Sequence, residues 1–422
     1  MASSLLSEMF REKVSKKKDY RLKSETEHDV MYPTGFLGFD FLNGTVVHVK
    51  TPERKFTYNS IGIVDGSMVM VIGRSGCGKT TWIMQSAGNM IRPFSSSCIY
   101  HDDIEGGITQ SRKEQLLKMY GKDMENSYIP RNTGITAENL YDRIKMIYDI
   151  KMENREDFVY DTGYYDTKGQ KIYKMEPTIY ILDSLAMLMP EKFTDEEELS
   201  GQMSATAAAK TNASLFKRII PMLKSANIIF FVVNHITQKV ELNMFAKTQS
   251  LVSYLKPDET LPGGRTPIYL SNLLIRMDDG SKLKETEGFG IKGSIVTLTI
   301  LKSRTATANS SIDLIFDYSK GFDNELSLFK LLKESGYVNG AGAFLYLGER
   351  SDIKFAQKNF KEKLKANPEL QQVFAECCMQ ALQDLINDVG DAESDANVGD
   401  DKPFDISSYI INKMSDNLSL AV

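Results

Sequence analysis

The stretch IGRSGCGKTTW, residues 72–82, directly follows the apolar run SMVMV and restricts the fold more than any other part of the chain. It fits G-x-x-x-x-G-K-[ST] after an expected strand, the arrangement that binds a nucleotide phosphate. Gly73, Gly76 and Gly78 let backbone N–H groups converge on phosphate oxygens, while Lys79 places a cation near the terminal phosphates. Thr80 offers a hydroxyl to magnesium, and a helix starting at Lys79 adds N-terminal polarity. Arg74, Ser75, Cys77 and Thr81 complete the expected nucleotide-binding loop, Cys77 as a variable position. Kinases, helicases, transporters and recombinases all cradle phosphates this way, so the loop alone does not choose among them.

The rest of the chain supplies the sheet such a loop needs. PTIYILDS and NIIFFVVNH are continuous apolar runs ending in polar residues, which suits parallel strands covered by helices on both faces. Alternation of these strands with helical segments, including ENLYDRIKMIYDI at 138–150, predicts an α/β core. Asp183 closes one strand, where its carboxylate would reach magnesium beside Thr80; alone, it reads equally well as a cap on the next turn. Hydrolysis also needs a group to orient or deprotonate water. Asp102, Asp103 and Glu105 follow the SCIY strand, and the residues themselves prefer none of the three. Asn234 and His235 end another strand and are candidates to sense the terminal phosphate, against an ordinary polar strand exit.

The 422 residues allow two domains plus appendages. No apolar stretch is long enough to span a bilayer and the N-terminus has no signal core, so an intracellular, cytoplasmic protein without a membrane partner is expected. Cys77, Cys98, Cys377 and Cys378 form neither a zinc pattern nor a disulfide framework. A net charge of −5 does not advertise nucleic-acid binding, but its distribution is uneven: residues 11–23 are basic and 388–405 acidic. That pattern permits DNA association and equally describes two solvated ends. Residues 5–18 read as a short amphipathic helix, 151–176 as an inserted hairpin or surface loop, and the chain from 326 as mainly helical.

Taken in order, GFLGFDFLNG, the phosphate loop, YILDS, VVNHI, LPGG and LKSR are similar to a RecA-type bacterial DNA recombinase. LLKESGYVNGAGAFLYLGE and FKEKLKANPEL resemble that family's small C-terminal domain. The resemblance covers residues 34–386; long inserts and a weakly matched N-terminus mark a divergent version, of the kind a large bacteriophage would carry into its host's cytoplasm. It implies a RecA-like P-loop ATPase core (34–325) with a mainly parallel central sheet flanked by helices. An N-terminal polymerisation helix and linker (1–33), a small α/β C-terminal domain (326–390) and an acidic tail (391–422) complete the expected organisation.

The resemblance also implies roles. Lys79, Thr80 and Asp183 correspond to the ATP and Mg2+ residues. Glu105 takes the place of the catalytic glutamate, with one extra residue relative to a Y-x-D-x-E pattern and Asp103 in reserve. His235 stands where the family has a switch glutamine. The resemblance places two DNA-facing loops after the strands. The first, at 190–205, is acidic and would be repelled by phosphate backbones, so it is expected to point away from DNA or contact a neighbour. In the second, at 237–265, Lys239, Phe245, Lys247 and Arg265 would contact DNA. Lys302 and Arg304, two apart on an extended strand, would reach the ATP of the adjacent subunit. The implied activity is a DNA-dependent ATPase that forms helical homo-oligomeric filaments on single-stranded DNA and exchanges strands with duplex DNA. The alternatives are a hexameric helicase or packaging motor of the same fold, or a nucleotide-binding filament without strand exchange.

Overall fold

A computed structural model describes residues 29–50, 55–118, 127–165, 170–191, 201–238, 255, 256, 258–286 and 288–388. The expected N-terminal helix, the tail at 391–422, most of the acidic loop, and Lys239, Phe245 and Lys247 lie outside the described residues.

The central sheet has nine strands: β1 (Met68–Gly73), β2 (Ile99–Asp103), β3 (Tyr128–Arg131), β4 (Thr178–Asp183), β5 (Ile228–His235), β6 (Leu273–Leu283), β7 (Gly293–Lys302), β8 (Ser310–Asp317) and β9 (Gly321–Asp323). Their spatial order is β9-β8-β7-β6-β1-β5-β4-β2-β3. From β6 through β1 to β3 all neighbours are parallel. The remaining pairs, β6–β7, β7–β8 and β8–β9, are antiparallel. The helices include α1 (Leu37–Leu42), α2 (Lys79–Ile91), α3 (Gln110–Lys118), α4 (Ala137–Glu153), α5 (Gly201–Ala226), α6 (Thr266–Leu270), α7 (Asn324–Glu334), α8 (Phe360–Ala366) and α9 (Pro368–Gln383).

Every residue of β1 and β4 is buried, because the sheet is covered on both faces. Alternation along β1 divides the core in two. Val69 and Val71 join α2 and its Trp82, whereas Met68, Met70 and Ile72 join Leu140 and Ile144 of α4 and Phe216 and Ile219 of α5. Trp82 packs edge-on against Phe39 of α1 at a centroid distance of 5.1 Å, seating the GFLGFDFLNG segment on α2.

Asp323 accepts a hydrogen bond from the Leu326 N–H and so starts α7. In the C-terminal helices, Phe360 stacks on Phe329 at 4.3 Å and leans on Phe374 at 5.3 Å. These rings belong to the same apolar cluster as Val69 and Trp82, so α7–α9 are packed on one face of the sheet. The tyrosine-rich insert is an antiparallel hairpin, Val159–Tyr165 with Lys171–Met175. Its aromatics explain its composition: Tyr164 stacks on Tyr58 at 4.7 Å, and Tyr160 donates a hydrogen bond to the Tyr32 hydroxyl at 2.9 Å. Among the described residues no helix is long and apolar enough to cross a membrane.

Candidate active site

The phosphate loop leaves the end of β1 and turns directly into α2. Gly76 and Gly78 have φ of 82° and 87°, left-handed values that favour glycine. At Gly78 a side chain would also strike the Phe322 ring, 2.9 Å from where a Cβ would lie. Lys79 Nζ donates to the carbonyls of Gly73 (3.1 Å) and Arg74 (2.8 Å), which holds the ammonium across the loop. The Cys77 thiol is buried beneath it, and burial raises its pKa, which fits a packing residue and not a reactive one.

Thr80 Oγ1 donates to Asp183 Oδ2 at 2.5 Å, bringing together the two residues expected to hold magnesium. Asp183 is buried, and its carboxyl is pushed up to about 6 by loss of solvent and by repulsion from Glu105 and Asp103; the Thr80 hydrogen bond and Lys79 oppose the shift. An acidic pocket of this kind suits a divalent cation, and a hydroxyl plus one carboxylate suits Mg2+, which keeps several waters and takes phosphate oxygens. Among the described residues no group of three or more His, Cys, Asp or Glu forms a complete protein cage for a metal. Thr80 and Asp183, in contact beside the phosphate loop, could hold such an ion together with phosphate oxygens and water.

Three acids at the end of β2 have different environments. Asp102 accepts from the Tyr180 hydroxyl at 2.6 Å and from Arg143 of α4. Asp103 lies level with Asp183 across the sheet and pairs with Lys113 of α3 at 2.9 Å. Glu105 lies two residues beyond the strand, accepting from the Ser184 hydroxyl and, at 2.8 Å, from His235 Nε2. β2 ends at Asp103, so Glu105 lies on the turn that follows it. The amides of Ile104 and Glu105 both point at the Asp183 carbonyl, at 2.7 and 3.3 Å, fixing that turn beside β4.

At the end of β5, the fully buried Asn234 donates to the Pro262 carbonyl at 2.8 Å and accepts from the His235 N–H at 2.9 Å. Its side chain thereby ties LPGG to the strand end. Thr237–Gln238 pairs with Glu259–Thr260, closing the base of the 237–265 segment, and Arg276 grips Glu259 through two hydrogen bonds of 2.7 and 2.8 Å. Arg265 is exposed just before α6.

Lys302 and Arg304 are placed differently from the expectation of one shared strand. β7 ends at Lys302, because the Ser303 hydroxyl accepts from the N–H groups of Thr305 and Ala306 and turns the chain. Arg304 is exposed in that turn. Lys302 Nζ donates to the carbonyls of Ile268, Tyr269 and Ser271, at 3.1, 2.8 and 2.7 Å, capping the C-terminal end of α6. Through β6 it lies level with Met70, three residues before Gly73, or about 10 Å along the strand direction. β7, antiparallel to β6, thus leads away from the phosphate loop of its own chain as it reaches Lys302.

Ser184, Lys113 and Pro262 take part in these contacts without having been singled out from sequence. Ser184 belongs to YILDS, but nothing in that string separates it from a plain turn serine. Lys113 sits in a polar helix whose other charged residues look the same.

No family model matches the chain. It is 24% identical over 196 residues to the RecA protein of Thermotoga maritima, covering 46% of this chain and 51% of that protein. The chain is distantly homologous to RecA proteins. It spans about half the length of the RecA proteins it matches. A "Recombination and repair protein" of Enterobacteria phage T4 is 23% identical over 313 residues, 72% of this chain and 69% of that protein. An energy-coupling factor transporter ATP-binding protein of Clostridium perfringens is 31% identical over 158 residues, 32% of this chain and 54% of that protein. The α/β core, with its mostly parallel nine-stranded sheet and phosphate loop, is RecA-like.

Proposed function

We propose that the chain is an ATP-dependent DNA recombinase that assembles on single-stranded DNA and exchanges strands with homologous duplex. ATP would lie on the phosphate loop, with Lys79 at its terminal phosphates and Mg2+ held by Thr80 and Asp183. Bound Mg2+ supplies neutralisation of phosphate charge. Glu105 is the group that orients and deprotonates water: it is partly exposed beside the Thr80–Asp183 pair, whereas Asp102 and Asp103 are buried against Arg143 and Lys113.

The observation that carries the reading is the contact between Glu105 and His235. His235 ends β5 two residues before the 237–265 segment, so a change at the terminal phosphate can pass from Glu105 through His235 to residues proposed to face DNA. The distant similarity to RecA proteins and to a phage recombination and repair protein supports the same assignment. The position of Lys302 and Arg304, away from their own chain's phosphate loop, supports action on a neighbouring subunit and hence a filament.

ATP hydrolysis measured with and without single-stranded DNA tests this reading, alongside electron microscopy of the assembled complex. DNA should stimulate hydrolysis in open helical filaments, and Glu105→Gln should lower kcat by about 100-fold or more. Closed rings that unwind duplex would instead favour the helicase or motor.

A further inference from the structure

We propose that Lys113 is a positioning residue for Glu105, acting by neutralising Asp103 so that the Asp103–Gly107 turn holds Glu105 against Ser184 and His235. This rests on the reading of Glu105 as the water-activating group. The turn is held by polar contacts on two sides. Asp103 Oδ1 accepts from the Gly107 N–H at 3.2 Å, and the Ile104 and Glu105 amides meet the Asp183 carbonyl. Packing contributes little at its far side: a Cβ placed on Gly106 or Gly107 would have no atom within 4 Å.

Asp103 can serve as that anchor only if its charge is balanced, because it is 1% exposed and shares the pocket with two further carboxylates, Asp183 and Glu105. Lys113, itself 6% exposed, donates to Asp103 Oδ2 at 2.9 Å and leaves Oδ1 for Gly107. His101, on the same face of β2, does not provide a second cation near neutral pH. Burial lowers its pKa to about 4, and its Nδ1 is hydrogen-bonded to the Tyr128 hydroxyl. Lys113 is thus the ion-pair partner of Asp103 among the described residues. The charge sits one turn into α3, after the loop that carries Glu105, so it fixes both ends of that loop to the sheet.

The test compares steady-state ATP hydrolysis on single-stranded DNA for the parent, Lys113→Met, the double variant Asp103→Asn/Lys113→Met, and Glu105→Gln. Lys113→Met should lower kcat by about 10-fold or more while KM for ATP stays within about threefold, because the phosphate loop is untouched. The double variant removes the unpaired charge but keeps an acceptor for Gly107, and should return kcat to within about threefold of the parent. Should Lys113→Met fail to fold, the double variant must still fold and hydrolyse at that rate. A Lys113→Met enzyme with parental kcat, or a double variant that folds but stays as slow as the single one, overturns the inference. If Glu105→Gln also hydrolyses at the parental rate, it is the assignment of Glu105 that fails.

Discussion

Replacing Asp183 with asparagine should stabilise the ligand-free protein at alkaline pH while removing the carboxylate proposed to hold magnesium. Burial raises the Asp183 carboxyl from 3.8 to about 6. The folded protein therefore holds this proton more tightly than the unfolded chain. Its contribution to stability is fully present below pH 3.8 and is lost as pH rises through about 6. The whole shift corresponds to about 3 kcal/mol, and the part lost between pH 5 and pH 8 is about 1.4 kcal/mol. Asparagine does not titrate, and its carbonyl can still accept from Thr80. Relative to the parent, Asp183→Asn should thus be more favourable at pH 8 than at pH 5 by about 1.4 kcal/mol. Urea unfolding followed by the fluorescence of Trp82, the one tryptophan in the chain, measures that difference with a chelator present. ATP and Mg2+ should then stabilise the parent more than the variant. A gap between the proteins that is equal at both pH values, or larger at pH 5, would refute the reasoning.

Lys302→Ala should leave ATP affinity before assembly within about twofold but lower hydrolysis in the assembled state by about 10-fold or more, as expected of a cation acting on the neighbour's phosphates; unchanged assembled-state hydrolysis would remove that role. Phe360→Ala should cost about 3–5 kcal/mol in urea unfolding, because the ring is fully buried among Phe329, Phe355 and Phe374. A loss below about 1 kcal/mol would mean that the aromatic cluster does not hold the C-terminal helices.

The parallel half of the sheet was legible because its strands are buried on both faces and therefore read as unbroken apolar runs: MVMVIG, TIYILD and IIFFVVNH all became core strands. The short edge strand YIPR was not, since most of it is exposed and it contains proline. Residue order along the chain sufficed to nominate Thr80, Asp183, Glu105 and His235, and folding brings the first two into one contact and the last two into another. Sequence could not separate Asp102, Asp103 and Glu105. What distinguishes them is partners from other elements: Arg143 on α4, Lys113 on α3, and Ser184 with His235 at the ends of β4 and β5. The capping of α6 by Lys302 was equally hidden, because it joins residues more than thirty positions apart.

Strand transfer between a circular single-stranded DNA and a linear duplex, followed on gels with ATP and Mg2+, measures the proposed activity most directly. Joint molecules and exchanged products should form with homologous duplex, depend on ATP, and be absent with unrelated duplex. Filaments that hydrolyse ATP but yield no exchange, or duplex unwinding that ignores homology, would contradict it.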